Sequence, residues 1–169
     1  MLTLEKIADE PRDELLTRLR KSGRWMLRFS NNGVSYNNFV WKRLGTWTEA
    51  PDWDCNPTCG HGLHGQGPGG FGDCPTTGTR LEFCETDELV IIDGNKIKTK
   101  RARVLAHNNT ALELAQTLCD GIWPGSLDCR SYAHPLPSFT HVGGSLDCCG
   151  YAHPLSSLNH VGGSLDCCG

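Results

Sequence analysis

Long apolar segments are what this 169-residue sequence most clearly lacks. No apolar run approaches the roughly 18–20 residues that a membrane-spanning helix needs. The first residues, MLTLEKIADEPRDELLTRLRK, lack the positive start and the apolar run of a secretory signal peptide. Only 21% of the residues are charged and the net charge is -3, so the composition of a disordered chain is also missing. These absences predict a folded cytoplasmic protein with no membrane segment.

Basic residues are nearly absent from the last third of the chain. Residues 106–169 contain one arginine and five acidic side chains, whereas residues 1–105 contain 15 basic and 14 acidic ones. A change of composition this abrupt indicates a boundary. We therefore expect a domain over residues 1–106, a connector over 107–122 and a tail over 123–169.

The tail repeats itself every 19 residues. SLDCRSYAHPLPSFTHVGG is followed by SLDCCGYAHPLSSLNHVGG and then by SLDCCG. In S-L-D-C, alternation along a strand sends Leu and Cys to one face and Asp to the other. Stacked copies would then align their leucines and cysteines as interior ladders, which predicts a short β-solenoid. The tail also resembles bacterial and phage leucine-rich-repeat-like arrays built on L-P-x-x-L-x-V-G-G-S-L-D-L copies.

The last copy stops just after its strand, and an uncovered strand exposes hydrogen-bonding groups and an apolar face. We therefore expect the tail to be an interaction surface for another protein or for a second copy of the chain. Its expected members are Leu165, Cys167, Asp128, Asp147 and Asp166. A calcium ladder is the alternative for the carboxylates, although one carboxylate per copy is fewer oxygens than calcium repeats supply.

The first 106 residues predict one helix followed by short strands. Leucines at helical spacing, ending in basic residues before Ser22 and Gly23, predict a helix over residues 3–21. Asn31-Asn32-Gly33 between apolar runs predicts a hairpin, with residues 34–41 as its second strand. The predicted fold class is thus α+β: an N-terminal helix with a small antiparallel β-sheet domain, then the solenoid-like tail.

A glycine-rich loop between the strands has the residue types of a zinc site. Its candidate ligands are Cys55, Cys59, His61 and His64, with Cys74 and Cys84 as further candidates. Four ligands within ten residues are closer than the two separated pairs of a usual zinc knuckle. The alternatives are therefore no cofactor and a purely structural loop, or a catalytic pair of Cys59 and His64 oriented by a third group.

Ten cysteines are many for a chain without an export signal. In a reducing cytoplasm, cysteines are more often metal ligands or buried thiols than disulfides. We accordingly expect the cysteines to be unpaired.

A basic stretch contains five cations and no acid in eight residues. Its members are Lys96, Lys98, Lys100, Arg101 and Arg103. Alternation places the lysines on one face of a strand, where they could contact nucleic-acid phosphates. The alternative is a solvated edge strand whose lysines block pairing with another sheet, and the net charge of +1 for residues 1–105 favours it.

Four motifs carry a second resemblance. They are Phe39-Val40-Trp41, Ala50-Pro51-Asp52-Trp53, CGHGLHG over residues 59–65, and DGNKIKTKRARVL over residues 93–105. They resemble the pattern of an uncharacterised family found in phages and bacteria, many of whose members carry a fused repeat tail. The resemblance implies a bacterial or phage-infected host cell and implies no activity. Cys59 and His64 belong to the family pattern, whereas Cys55 and His61 do not.

Taken together, these patterns predict a non-enzymatic binding or assembly protein that uses its tail. A metal-binding protein or a Cys/His-dependent enzyme centred on CGHGLHG is the alternative. Nucleic-acid binding through residues 96–103 is the third hypothesis, and no membrane partner is expected.

Overall fold

A computed structural model describes residues 6–7, 10–35, 38–67, 74–75, 80–92, 96–123, 125–130, 135–136 and 138–168. The helices of this described part are α1 (Arg12–Ser22) and α2 (Asn108–Leu118). The first ten strands are β1 (Lys6–Ile7), β2 (Glu10–Pro11), β3 (Trp25–Ser30), β4 (Trp47–Glu49), β5 (Leu63–Gly65), β6 (Cys74–Pro75), β7 (Arg80–Thr86), β8 (Val90–Ile92), β9 (Lys96–Thr99) and β10 (Arg101–His107). The remaining strands are β11 (Ile122–Trp123), β12 (Leu127–Asp128), β13 (His141–Val142), β14 (Leu146–Asp147), β15 (His160–Val161) and β16 (Leu165–Asp166).

The main sheet is antiparallel, with strand order β3-β7-β10-β4. One face packs against the helices: Leu27 and Phe83 share a buried cluster with Leu15 of α1 and Leu112 of α2. The other face packs against a second antiparallel sheet of order β5-β9-β8. Because both faces are covered, strand β7 is buried along almost its whole length. Leu81 and Phe83 of β7 face the helices, whereas Cys84 contributes to the core on the other side.

Helix α1 begins later than the sequence predicts. The residues before it form the two-stranded ribbon β1-β2, and Pro11 lies at the helix N-cap. Proline favours an extended residue before it and has no N–H to donate within a helix, so a start just after Pro11 is physically reasonable. The helix ends at Gly23, whose left-handed backbone (φ 65°) lets its N–H donate to the Leu19 carbonyl at 2.8 Å.

The turn predicted at residues 31–33 is present, but the predicted hairpin is wrong. Asn31 and Val34 form a bridge, and Asn32 has a positive φ of 53°. The chain beyond Val34 makes only an isolated bridge with Val40 among the described residues, and β3 pairs with β7 instead. The long apolar β7 offers β3 six paired residues, more than the short segment after the turn can supply.

The basic stretch forms two strands in different sheets. Strand β9 lies in the β5-β9-β8 sheet, and after Lys100 the chain continues as β10 in the main sheet. The predicted turn at residues 93–95 lies outside the described residues. The lysines of β9 and the arginines of β10 therefore do not form one continuous face.

The tail repeats form two parallel sheets of two-residue strands. One has the order β11-β13-β15 and the other β16-β14-β12-β6. The predicted alignment of equivalent repeat positions is confirmed, because Leu127, Leu146 and Leu165 are register partners, as are Asp128 and Asp147. Leu127 and Leu146 are buried, whereas Leu165 is 56% exposed.

The predicted fold class, α+β with a solenoid-like tail, is wrong. The described part of the chain is mostly β, with 38% strand and 17% helix, and none of the sheets described there is solenoid-like. Periodicity predicted the repeat but could not show what the copies pack against. The second tail sheet takes β6 as its outer strand, and Trp123 and Leu146 belong to the same buried cluster as both helices. The tail therefore buries its apolar side chains against the rest of the protein.

No helix among the described residues is both long enough and apolar enough to cross a bilayer.

Candidate functional site

A cleft of about 820 Å³ opens beside the glycine-rich loop. Three segments wall it: strand β3, the chain around residues 38–41, and strand β5 with the loop residues before it. Its volume falls in the range of about 300–1,000 Å³ typical of small-molecule sites. We call this cavity the His64 cleft. Its described polar lining residues are Arg28, Ser35, Asn38, Asp52, His64, Gln66 and Lys96.

Backbone hydrogen bonds on two sides fix β5, so the loop is not a loose platform. Strand β5 pairs with β9, and Gln66 exchanges two backbone hydrogen bonds with Leu27 of β3, at 2.6 and 2.7 Å. Gly65 allows this approach, because a Cβ there would lie 2.7 Å from the Leu27 carbonyl oxygen. Gly62 has a φ of 108° and lies against the Trp53 ring, so a larger residue would be strained there.

Two buried polar atoms in the cleft wall have no hydrogen-bond partner within the described protein. They are His64 Nε2 and Gln66 Oε1. A buried polar atom without a partner costs roughly 1–3 kcal/mol, so native proteins usually pair such atoms with protein, water or ligand. Both residues line the His64 cleft, although the two atoms themselves lie just beneath its surface.

Burial lowers the pKa of His64, and the positive charges of Lys96 and Lys98 lower it further. The imidazole is therefore neutral at neutral pH. A hydrogen bond with the Gly62 backbone acts in the opposite direction, as expected when the ring donates to a carbonyl. That bond favours the tautomer protonated on Nδ1, which leaves Nε2 as an acceptor. Gln66 Oε1 is also an acceptor, so the two atoms together call for a ligand that donates hydrogen bonds.

Arg28, which lines the cleft, belongs to a buried group of charges behind it. Arg28 pairs with Glu82, which is 0% exposed, and the Arg28 guanidinium lies 3.8 Å from the centre of the Trp41 ring. Arg80 donates to the same carboxylate at 2.9 Å, and Ser30 donates to it at 3.0 Å. Because two guanidiniums share one carboxylate, this group is net positive. Burial lowers the pKa of Arg28.

The rim of the cleft carries one charge of each sign. Lys96 is exposed, and its ammonium lies 3.8 Å from the thiol of Cys59. Asp52 accepts a hydrogen bond from the Gly62 N–H at 3.2 Å. With the buried group included, the charged lining favours an anion.

The structure does not bring the four predicted zinc ligands together. Cys55 and Cys59 are exposed thiols, and the exposed His61 ring lies 3.1 Å from the Asp52 carbonyl. His64 turns into the cleft instead. Among the described residues, these four include no set of three with ligand atoms close enough to share an ion. Cys84, a further candidate, is fully buried in the core, and burial raises the pKa of its thiol; nothing is described of the Cys74 side chain.

The residues that lie close enough to hold a metal ion are in the tail. The ligand atoms of Cys149, Asp166 and Cys168 lie within 4.8 Å of one another. We call these three residues the tail cysteine group. Cys149 and Cys168 form a disulfide, so the expectation of unpaired cysteines is wrong. The 19-residue period places them side by side with Cα atoms 4.6 Å apart, a normal distance for a disulfide.

The predicted interaction residues of the tail lie in different environments. Arg130 donates to Asp128 at 2.8 Å and also pairs with Asp147 at 3.0 Å, which relieves the repulsion between these half-buried carboxylates. The hydrogen bonds from Arg130 lower the pKa of Asp128. Leu165, Asp166 and Cys167 are exposed.

The predicted nucleic-acid residues do not form a common charged surface. Lys98 is 0% exposed and donates to the Thr58 carbonyl at 3.0 Å. Lys100 pairs with Glu49, and Arg103 pairs with Glu85. Arg101 is exposed, with its guanidinium 5.2 Å from the centre of the Trp47 ring. The structure therefore gives the nucleic-acid hypothesis no support.

Sequence reasoning missed Arg28, Glu82, Gln66 and the cleft itself. One signal was available: WMLRFS places an arginine within an apolar strand, and RLEFCET places Glu82 between Leu81 and Phe83. Charges in such positions are usually paired, which would have suggested that the arginine and the glutamate meet. Nothing comparable marks Gln66, whose role depends on the bridge to Leu27.

Lowered histidine pKa values make a prediction about stability. His107, like His64, has a pKa lowered by burial, and the nearby positive charge of Arg80 adds to the effect. Between these lowered values and the unfolded value of about 6.5, the unfolded chain binds protons that the folded chain does not. Stability is therefore expected to fall as the pH decreases through this window. Urea unfolding at about pH 7.5 and about pH 5.5 measures the loss. A variant with both His64→Gln and His107→Gln should show a smaller loss, and an unchanged loss contradicts the assignment.

Comparisons with protein-family models, with curated proteins and with solved structures find no match to this chain. The chemistry of the site must therefore be inferred from its own residues.

Proposed function

We propose that this chain is a non-enzymatic binding protein whose His64 cleft takes up a small organic anion. The observation that carries the proposal is a pair of buried acceptors without a described partner, His64 Nε2 and Gln66 Oε1, in two residues that line a cavity of about 820 Å³. A ligand that donates hydrogen bonds to both atoms would remove the cost of leaving them unpaired. We therefore propose the cleft, rather than the tail, as the binding site.

The remaining lining supports the same ligand class. Phe29, Phe39 and Leu63 supply apolar walls, which suit a molecule with an apolar or aromatic body. The net positive Arg28 group and Lys96 favour a negative charge on that molecule. The Ser35 hydroxyl also lines the cleft and donates a hydrogen bond to the Phe39 carbonyl at 3.3 Å. It is therefore not held as an activated nucleophile, which supports a binding role.

Anilinonaphthalene sulfonate is a suitable probe, because it combines aromatic rings, one N–H donor and one anionic group. We expect it to bind the folded protein with a rise in fluorescence. Its single N–H can donate to one acceptor, His64 Nε2, so His64→Ala should weaken its binding roughly three- to tenfold, the usual effect of losing one hydrogen bond. Gln66→Ala leaves that hydrogen bond in place and should have a smaller effect. Affinity should also fall as the pH decreases through the lowered pKa of His64, because protonated Nε2 no longer accepts.

His61→Ala is the matched control, since it removes the same side chain from the same loop but outside the described lining of the cleft. It should leave the affinity of the probe unchanged. Urea unfolding of each variant confirms that it is folded. Equal affinity for the His64, Gln66 and His61 variants would show that the cleft does not hold the probe.

Zinc in the tail cysteine group is the second candidate function, and one observation favours it. Cys149, Asp166 and Cys168 supply two sulfurs and one carboxylate within 4.8 Å. Zinc prefers cysteine sulfur and accepts carboxylate oxygen, and a site with three protein ligands keeps a fourth position for water. We therefore propose the tail cysteine group, rather than the CGHGLHG loop, as the zinc site.

A further inference from the structure

We infer that the tail cysteine group has two mutually exclusive states, a disulfide and a zinc-binding dithiolate, so that reduction creates the metal site and oxidation releases the ion. This inference rests on the second candidate function and concerns the regulation of the same site. Its starting observation is that the disulfide sulfurs of Cys149 and Cys168 are also two of the three candidate metal ligands.

The exclusion follows from the chemistry of sulfur. The thiolate is the form of cysteine that binds metal, and the two sulfurs of a disulfide share their bond with each other instead. While Cys149 and Cys168 are bonded, Asp166 is the only charged ligand left in the group. One carboxylate without the thiolates is a poor zinc site.

The backbone suits both states. With zinc–sulfur distances of about 2.3 Å and tetrahedral angles, two thiolates on one zinc ion lie about 3.7 Å apart. The preceding pair on the same two repeats, Cys148 and Cys167, shows that this backbone spacing accommodates unbonded sulfurs, which lie 3.2 Å apart there. Cys168 is exposed and Cys149 is half-buried, so their side chains can separate without disturbing the core.

Asp166 differs from Asp128 and Asp147, its equivalents in the earlier repeats, because its carboxylate is available to bind a metal ion. Arg130 pairs with Asp128 and Asp147, whereas no cation lies within ion-pair distance of Asp166 in the described part of the chain. Its Oδ1 lies 3.1 Å from the sulfur of Cys168. The third ligand therefore stands beside the pair of sulfurs and has no competing partner of opposite charge there.

The two steps balance as follows. A reductant donates two electrons to the disulfide, the sulfur–sulfur bond breaks, and two protons complete the two thiols. Zinc binding then releases those two protons as the thiolates form. In the reverse direction, a small-molecule disulfide such as oxidised glutathione accepts two electrons from the thiolates. The Cys149–Cys168 bond forms again, two molecules of the small thiol are produced with two protons from solvent, and the zinc ion leaves.

The test uses the full chain and zinc ion alone. Native mass spectrometry compares the protein as oxidised by glutathione disulfide with the protein reduced by a phosphine, which does not compete for zinc as a thiol would. We expect one zinc ion on the reduced chain and none on the oxidised chain. Adding oxidised glutathione to the reduced, zinc-loaded chain should release the ion into a zinc-sensitive dye and leave a protein two hydrogens lighter than the reduced, zinc-free chain.

Matched variants locate the site and separate the two claims. Cys149→Ser and Cys168→Ser should each weaken zinc binding by the reduced chain at least tenfold, whereas Cys148→Ser and Cys59→Ser should not. Absence of zinc from both forms, or loss of zinc in Cys59→Ser but not in Cys149→Ser, would overturn the tail site itself. Equal zinc binding by oxidised and reduced chains, lost in Cys149→Ser, would leave the site standing and overturn its regulation by the disulfide.

Discussion

Replacing Glu82 by leucine is expected to lower the free energy of unfolding by about 3–5 kcal/mol, the usual cost of removing one partner of a buried ion pair. Glu82 is fully buried and accepts hydrogen bonds from Arg28, Arg80 and Ser30. Without the carboxylate, the buried guanidinium of Arg28 has lost its counter-charge. Urea unfolding followed by circular dichroism measures the change.

Two further variants test the cause. Glu49→Leu removes an exposed glutamate of the same sheet, whose partner Lys100 lies 3.7 Å away, and it should change stability by less than about 1 kcal/mol. Glu82→Leu combined with Arg28→Met removes both buried charges and should recover much of the loss, because Arg80 reaches solvent. If Glu82→Leu has the same free energy of unfolding as the wild type, the buried charge group does not stabilise the structure behind Arg28.

Trp123→Ala is expected to cost about 3–5 kcal/mol, the usual range for removing a large buried aromatic side chain. Trp123 is 0% exposed, packs edge-on against Phe139 and donates from its ring N–H to the Ser126 carbonyl. It belongs to the cluster that includes both helices and the main sheet. The loss should therefore shift one common unfolding transition of the tail and the main sheet.

The neighbouring residue provides the control. Ile122 is 44% exposed, so Ile122→Ala should have a small effect. Circular dichroism follows the whole chain, while peptide mapping of thiol labelling at Cys129 reports the tail and at Cys84 reports the main sheet, since both thiols are buried. Two separate transitions, with only the tail affected by Trp123→Ala, would contradict the shared core.

Local features of the fold could be predicted from the sequence. The leucines of α1, the turn at Asn32 and the equivalence of Leu127 with Leu146 are local or periodic signals, and the structure contains each of them. The partners of these elements could not be predicted in the same way. Which strand pairs with β3, and which chain segment lies beside β12, depends on contacts between residues distant in sequence.

The candidate site shows the same division. The glycines and histidines of CGHGLHG are unusual between strands and mark this loop in the sequence, and its His64 lines the cleft. The predicted zinc site required the side chains of Cys55, Cys59, His61 and His64 to meet because they are close in sequence. Instead, β5 pairs with β9 and contacts β3, so that His64 lines the cleft while His61 is exposed. The repeat period places Cys149 beside Cys168, where they form a disulfide. The reducing cytoplasm expected for this chain had predicted unpaired thiols instead.

The most direct measurement of the central claim is nuclear magnetic resonance of the histidine ring nitrogens in isotope-labelled protein during titration with anilinonaphthalene sulfonate. The account predicts that the Nε2 resonance of His64 shifts and saturates at one probe per chain, because this atom gains a hydrogen bond inside the cleft. The resonances of the exposed His61 should stay in place. Binding of the probe with no change at His64 would contradict the proposal that this cleft is the ligand site.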